Sequence, residues 1–302
     1  MNLPTSWPLG KKGPTKQAAR PKGAAAAEPI TVSGRWLLGA FAAVLALAAV
    51  CAYATLALLF YQGQWQLILH PAKTITAIPR AKFDEIHFDY TETGVARLDG
   101  WWIPADAGAR WTGDTILYLH GGRGSLSDAV SDLDALHMLG INVFAFDYRG
   151  YGKSAGPHPD EGRMNADADA AWSYLTATRH LDPKTIVVYG TGLGASVATG
   201  LTARHAPAGL ILDGPSETAK KLTGADARAR ILPMWLLLDE RFDPGPTLKT
   251  LALPKLFLDR NGTQARTEEL YRLADSPKQY FELKRDDGYG ATLTRFLDGV
   301  LR

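Results

Sequence analysis

Residues 185–213 read TIVVYGTGLGASVATGLTARHAPAGLILD. Residues 185–189 form an uncharged run dominated by β-branched side chains, the composition of a strand buried on both faces of a sheet. Gly190, Gly192 and Gly194 then alternate through five residues, which predicts a sharp turn. Residues 195–205 read as the helix that follows, and 209–213 (GLILD) as the next buried strand. Strand, tight turn, helix and strand make the repeating unit of a mostly parallel, doubly wound sheet.

The unit recurs in both directions along the chain. Upstream, 115–119 (TILYL) and 141–146 (INVFAF) read as buried strands. Residues 127–139 read as a helix with Leu133, Leu136 and Leu139 on one face, and 160–179 as another, with Ala168, Ala171, Trp172 and Leu175 at helical spacing. Downstream, 255–258 (KLFL) and 279–283 (QYFEL) read as strands, and 264–274 and 290–301 as helices. Residues 217–250 are mixed, with an amphipathic patch over 231–238, and predict a small cap. The expected fold class is α/β, a doubly wound, mostly parallel sheet over 62–302.

Before it, residues 36–61 (WLLGAFAAVLALAAVCAYATLALLFY) hold 26 positions without a charge. About 20 apolar residues cross a bilayer, so this run predicts one transmembrane helix. A cleaved signal peptide fits less well, since its apolar core is about 7–15 residues long. Residues 48–51 (AAVC) also place valine where a lipoprotein cleavage box wants a small residue. Residues 1–35, rich in Pro, Gly, Ala and Lys, predict a disordered tail. The tail carries Lys11, Lys12, Lys16, Arg20, Lys22 and Arg35 against Glu28, which predicts a cytoplasmic N-terminus and a folded domain outside.

A net charge of +2, evenly spread, argues against a nucleic-acid partner. Cys51 is the single cysteine of the chain, so neither an intramolecular disulfide nor a thiolate zinc cluster can form. No metal and no cofactor are expected.

Four segments, in this order, resemble the α/β-hydrolase superfamily: YLHGGRGS (118–125), FDYRGYGKSAGPHPDEG (146–162), VVYGTGLGASVA (187–198) and RFDPGPTLKTLALPKLFLD (241–259). The likeness is to its membrane-anchored, serine-aminopeptidase-like group, which includes the α/β-hydrolase domain-containing 13-like and 17-like proteins. The resemblance implies a G-x-S-x-G elbow that lifts a serine into a cleft, a histidine that deprotonates it, an acid that orients the histidine, and an oxyanion hole.

Tested residue by residue, the triad is degenerate. The nucleophile position is Gly192, which has no side chain to attack with. The histidine position, after Asp286-Asp287-Gly288, is Tyr289, and a phenol with a pKa near 10 is a poor base at neutral pH. No histidine follows His205. The acid position has no aligned aspartate, Asp259 being the nearest carboxylate and better read as a polar residue or loop cap. Thr191 is expected to point away from the cleft and Ser196 to lie on the following helix. The backbone amides of Gly122 and Leu193 are the expected survivors, able to bind an anion or a carbonyl. The glycines of that turn are equally explained by backbone freedom.

Without the resemblance, Gly190-x-Gly192-x-x-Ala195 with Asp213 further on also fits a dinucleotide fingerprint, with the aspartate on a ribose. That fingerprint normally opens its fold, whereas here two strand–helix units precede it. The sequence therefore predicts a membrane-anchored pseudo-hydrolase that binds or scaffolds, with a small molecule or protein in the old cleft. The alternative is a serine-type ester, peptide or thioester hydrolase working through other residues.

Overall fold

Strands two residues apart in period divide their side chains between two faces, and the apolar runs do this along the whole sheet. In the computed structural model, which describes residues 31–89, 97–260, 262–283 and 288–301, eight strands pair into one sheet. They are β1 (Asp84–Asp89), β2 (Arg97–Ile103), β3 (Trp111–Leu119), β4 (Ile141–Phe146), β5 (Ile186–Thr191), β6 (Gly209–Asp213), β7 (Lys255–Asp259) and β8 (Lys278–Glu282). The order across the sheet is β1-β2-β4-β3-β5-β6-β7-β8. From β4 to β8 every pairing is parallel, and the β1–β2 and β2–β4 pairings are antiparallel. The mostly parallel sheet is as expected; the two antiparallel edge strands had no reading in the sequence.

Leu117, Leu119, Phe144, Phe146, Val188 and Leu212 face one side, where Met164, Ala168 and Trp172 of α3 (Glu161–Ser173) and Val197 and Leu201 of α4 (Gly194–His205) cover them. Tyr118, Val143, Ala145, Tyr189, Ile211 and Leu258 face the other, beneath Leu133 and Leu136 of α2 (Val130–His137) and Leu293, Phe296 and Leu297 of α6 (Tyr289–Val300). A further helix, α5 (Gln264–Leu273), lies between β7 and β8 in sequence and adds Leu270 to the first layer. The helix expected over 160–179 is α-helical to Ser173 and widens into a π turn, Tyr174–Thr178.

The chain falls into two units, Met1–Tyr53 and Ala54–Arg302. Helix α1 (Gly34–Gly63) contains all of the uncharged run, and Trp36, Leu38, Phe41, Val44 and Leu47 are exposed on it. By length and composition it is a candidate transmembrane span. Most of the expected disordered tail, residues 1–30, lies outside the described residues.

Within the second unit, His70–Pro71 pairs in parallel with Arg123–Gly124. The His70 amide donates to the Gly122 carbonyl at 2.8 Å, which fixes the turn after β3. Between β6 and β7, residues 217–250 make four short helical turns, Ala219–Thr223, Ala227–Arg230, Met234–Leu237 and Gly245–Leu248.

Candidate functional site

The β5–α4 turn is an elbow. Gly192 at its apex has φ +54, the left-handed region that suits glycine. Its two flanking glycines serve a different purpose, close approach of backbones. A Cβ on Gly190 would lie 2.6 Å from the Ala198 Cβ, and one on Gly194 would overlap the carbonyl oxygens of Leu119 and His120. Helix α4 is thereby seated against the end of β3. A Cβ at Gly192 meets only Ser216 Oγ at 3.3 Å and the Gly121 Cα at 3.6 Å, so the apex opens onto a cleft.

That cleft is a cavity of about 280 Å³ lined by the glycine turn 121–122, Arg123, Thr191, Gly192, Asp132 and Ser216 among others. Gly122 lies against Leu193, since a Cβ there would overlap Leu193 Cδ1. The two expected oxyanion residues are thus neighbours, and among the described residues neither amide has a protein acceptor. Thr191 corrects an expectation: it lines the cleft. Ser216 had no reading in the sequence. It follows β6, and its amide donates to the Gly192 carbonyl at 3.1 Å, so its hydroxyl borders the space a nucleophile would fill.

The other half of the cleft is built from side chains. Tyr289, the first residue of α6 after Gly288 (φ +92), has its hydroxyl 2.9 Å from that of Tyr189 on β5. Tyr189 in turn donates to Asp213 Oδ2 at 2.5 Å. Arg260, directly after β7, bridges two acids, reaching Asp213 and Asp132 at 2.8 Å each, and its guanidinium lies 5.2 Å from the Tyr289 ring centre. Tyr118 donates to Asp132 at 2.9 Å and its ring stacks on Tyr189, with centroids 5.3 Å apart. Three tyrosines, two aspartates and one arginine form one lattice across β3, β5, β6, α2 and α6.

Burial sets the protonation of this lattice. It pushes the Tyr189, Tyr289 and Tyr118 phenols well above their usual range, so all three stay neutral donors. It also pushes Asp213 up to about 6 against the opposing pull of Arg260. Burial lowers the Arg260 pKa, and Asp213 and Asp132 more than offset that, so the guanidinium remains charged. Asp213 is 3% exposed, and its Oδ2 is held by Tyr189 and Arg260, an arrangement unlike an open ribose-binding carboxylate.

Asp259 is buried at the end of β7 and accepts from Thr263 Oγ1 and the Tyr280 hydroxyl, both at 3.2 Å. Asp286 and Asp287 lie outside the described residues. His120 closes β3 with its Nδ1 2.8 Å from the Gly121 carbonyl and its buried ring against Tyr148 and Tyr151. Burial lowers its pKa to about 4. His205 bonds Asp169 on the far end of α4 at 2.7 Å. Among the described residues no group of three His, Cys, Asp or Glu side chains is placed to hold a metal.

A family profile for serine aminopeptidase, S33, matches residues 112–248, from β3 through the cap. An uncharacterized protein of Mycobacterium tuberculosis is 33% identical over 213 residues, 69% of this chain and 73% of its own length. Human α/β-hydrolase domain-containing protein 17C is 33% identical over 115 residues, 38% of this chain and 35% of that protein. Among solved structures, the Pyrococcus furiosus esterase Pf2001 superposes with a TM-score of 0.59 at 20% identity, over 78% of this chain and 99% of the esterase. An α/β hydrolase of Vibrio vulnificus gives 0.56 at 25% identity, over 72% and 78%. Strand order, elbow, glycine turn and relatives agree, and the chain belongs to the α/β-hydrolase superfamily.

Proposed function

We propose that this protein is a membrane-anchored pseudo-hydrolase, a binding or scaffolding member of its superfamily that does not cleave its ligand. One observation carries the reading. At the place of the nucleophile stands Gly192 at a positive-φ apex, while at the place of the base the Tyr289 hydroxyl is committed to Tyr189, which in turn bonds the Asp213–Arg260 pair. A phenol held protonated by burial takes up no proton from a nucleophile at neutral pH.

What remains is recognition. The Gly122 and Leu193 amides present two donors to a carbonyl or carboxylate, and Thr191 and Ser216 add hydroxyls around the same space. About 280 Å³ suits a small molecule or the end of a peptide. The α1 helix serves as an uncleaved anchor, with the basic tail in the cytoplasm and the domain outside.

A second reading rests on Ser216, whose hydroxyl stands beside the vacant apex and would act as nucleophile on an ester, peptide or thioester. Among the described residues it has no base: the cleft imidazole, His120, is neutral, buried and bound to the Gly121 carbonyl through Nδ1. The full chain in detergent, treated with a serine-directed fluorophosphonate and assayed on activated esters, separates the two. The binding reading predicts no labelling and no turnover beyond a Ser216→Ala control. Stoichiometric labelling lost in Ser216→Ala would establish the second reading and end the first.

A further inference from the structure

The cap presents an apolar surface that the binding reading leaves unused. Residues 231–238 (ILPMWLLL) carry no charge, and Trp235 and Leu236 are 86% and 65% exposed. Apolar side chains this large, side by side and this open mark a surface that meets another apolar phase. The segment is tied to the end of the long apolar helix. Gln64 donates to the Tyr61 carbonyl at 3.0 Å and the Leu237 carbonyl at 3.1 Å, and its Oε1 accepts the Asp239 amide at 3.2 Å. The Arg228 guanidinium lies over the Phe60 ring at 5.4 Å, and Phe60 is fully covered.

We propose that residues 231–238 form a second membrane contact, with Trp235 and Leu236 inserted at the headgroup–acyl boundary of the bilayer. The inference rests on the reading of α1 as a membrane anchor. The apolar run stops at Tyr61 and gives way to Gln62-Gly63-Gln64, so residues 60–64 mark the level where a spanning helix leaves the hydrocarbon, and a segment bonded to Gln64 shares that level. Tryptophan favours that depth, its indole keeping one edge wet. Exposed Arg230 precedes the segment, and exposed Lys220 lies beside Trp235 and Leu238; both suit anionic headgroups, with the exposed Asp239 closing the other end. Lipid is favoured over a protein occupant because the anchor holds a bilayer beside the patch permanently. Such a contact would fix the tilt of the domain and hold the cleft at a set height above the membrane.

The test places one nitroxide at a time on the full chain in phosphatidylcholine–phosphatidylglycerol vesicles. The label goes on the native Cys51, or in a Cys51→Ser background on Leu236→Cys, Trp235→Cys or Met138→Cys, Met138 being an 84% exposed apolar residue at the end of α2. Collision with oxygen reports lipid, and collision with a nickel chelate reports water. Oxygen access at 235 and 236 several-fold above that at 138, with nickel access correspondingly lower, supports the contact. Water-like access at 235 and 236 with lipid-like access at Cys51 overturns the second contact and leaves the anchor standing. Water-like access at Cys51 as well overturns both. Spin–spin broadening at 236 without oxygen enrichment shows a second copy of the chain on the patch and also overturns it. Should both cysteine variants misfold, quenching by brominated lipid of emission that is lost in Trp235→Phe decides, and equal quenching in the two proteins refutes the contact.

Discussion

The two halves of the cleft hold their shape by different means. The elbow half, around Gly190, Gly192, Gly194 and the 121–122 turn, is backbone geometry: positive φ, close approach and free amides. The base half, around Tyr289, Tyr189, Asp213, Arg260 and Asp132, is side-chain chemistry locked into hydrogen bonds and ion pairs. A fold can keep the first without any catalytic pressure, because the strand-to-helix turn needs it for packing. On the proposed pseudo-hydrolase reading the second is not a leftover, since a histidine and an acid in those places would not build this lattice. The difference teaches that a retained elbow is weak evidence for chemistry, and a rebuilt base site stronger evidence against it.

The sharpest way to break the comparison is to remove the centre of the lattice. Arg260→Ala leaves Asp213 and Asp132 facing each other without a cation, with Asp213 almost fully buried. Breaking a buried pair from one side costs about 3–5 kcal/mol, and the partly exposed guanidinium places the expected loss near the lower end, about 3 kcal/mol in denaturant unfolding. A loss below the scatter of the measurement would mean the lattice is ornamental.

The elbow half gives the next effects, and here two glycines separate two causes. Gly194→Ala drives a Cβ into the Leu119 and His120 carbonyl oxygens, backbone atoms that cannot turn aside, so about 2–3 kcal/mol is expected. Gly192→Ser meets only a movable hydroxyl, and its cost is the left-handed backbone, about 1 kcal/mol. Equal melting temperatures for the two variants would refute the division between close approach and backbone strain. On activity, Gly192→Ser alone is expected to stay silent, because a serine without its base gains little. Gly192→Ser with Tyr289→His is the first variant with a nucleophile and a base, yet Arg260 stands where its orienting acid is needed. Turnover by the single variant would show that a base already exists in the cleft. Tyr289→Phe removes one hydrogen bond to Tyr189 and should cost about 1 kcal/mol.

Much of the fold was legible because buried parallel strands are continuous apolar runs: INVFAF and GLILD coincide with β4 and β6 residue for residue. Strands β1 and β2 were not, since their antiparallel pairing carries Asp84, Glu85, Asp89 and Asp99 among the apolar positions. At the site, Gly192, Tyr289, Gly122 and Leu193 were found by their place in motifs. The lattice was missed because Tyr118, Asp132, Tyr189, Asp213 and Arg260 share no motif and meet only across the sheet. A signal did exist: Tyr118 and Tyr189 are the single polar-tipped residues late in two buried runs, and the register sets them side by side. Ser216 offered nothing comparable, being one serine in an ordinary loop.

A pH titration tests the electrostatics of the base half alone. Asp213 is raised from 3.8 to about 6, chiefly by burial. A carboxyl with a folded pKa above its unfolded one binds its proton more tightly in the native state. Its contribution to stability is therefore full below pH 4 and is lost as pH rises through about 6, flattening near pH 7. Asp213→Asn abolishes this titration while keeping an acceptor oxygen for Tyr189. Asp147, raised to about 7 beside His120 at the elbow half, titrates in both proteins, so the difference between them isolates the lattice. Melting curves from pH 4 to 8 should show the wild-type protein losing ground to Asp213→Asn as pH rises, by about 2–3 kcal/mol for a shift of this size, which is several degrees in a domain of this length. Wild type gaining on the variant over the same range would mean that Arg260 outweighs burial, with Asp213 ionised throughout as an ordinary salt-bridge partner. A flat difference would place its titration outside the window, and the raised pKa would have to be abandoned.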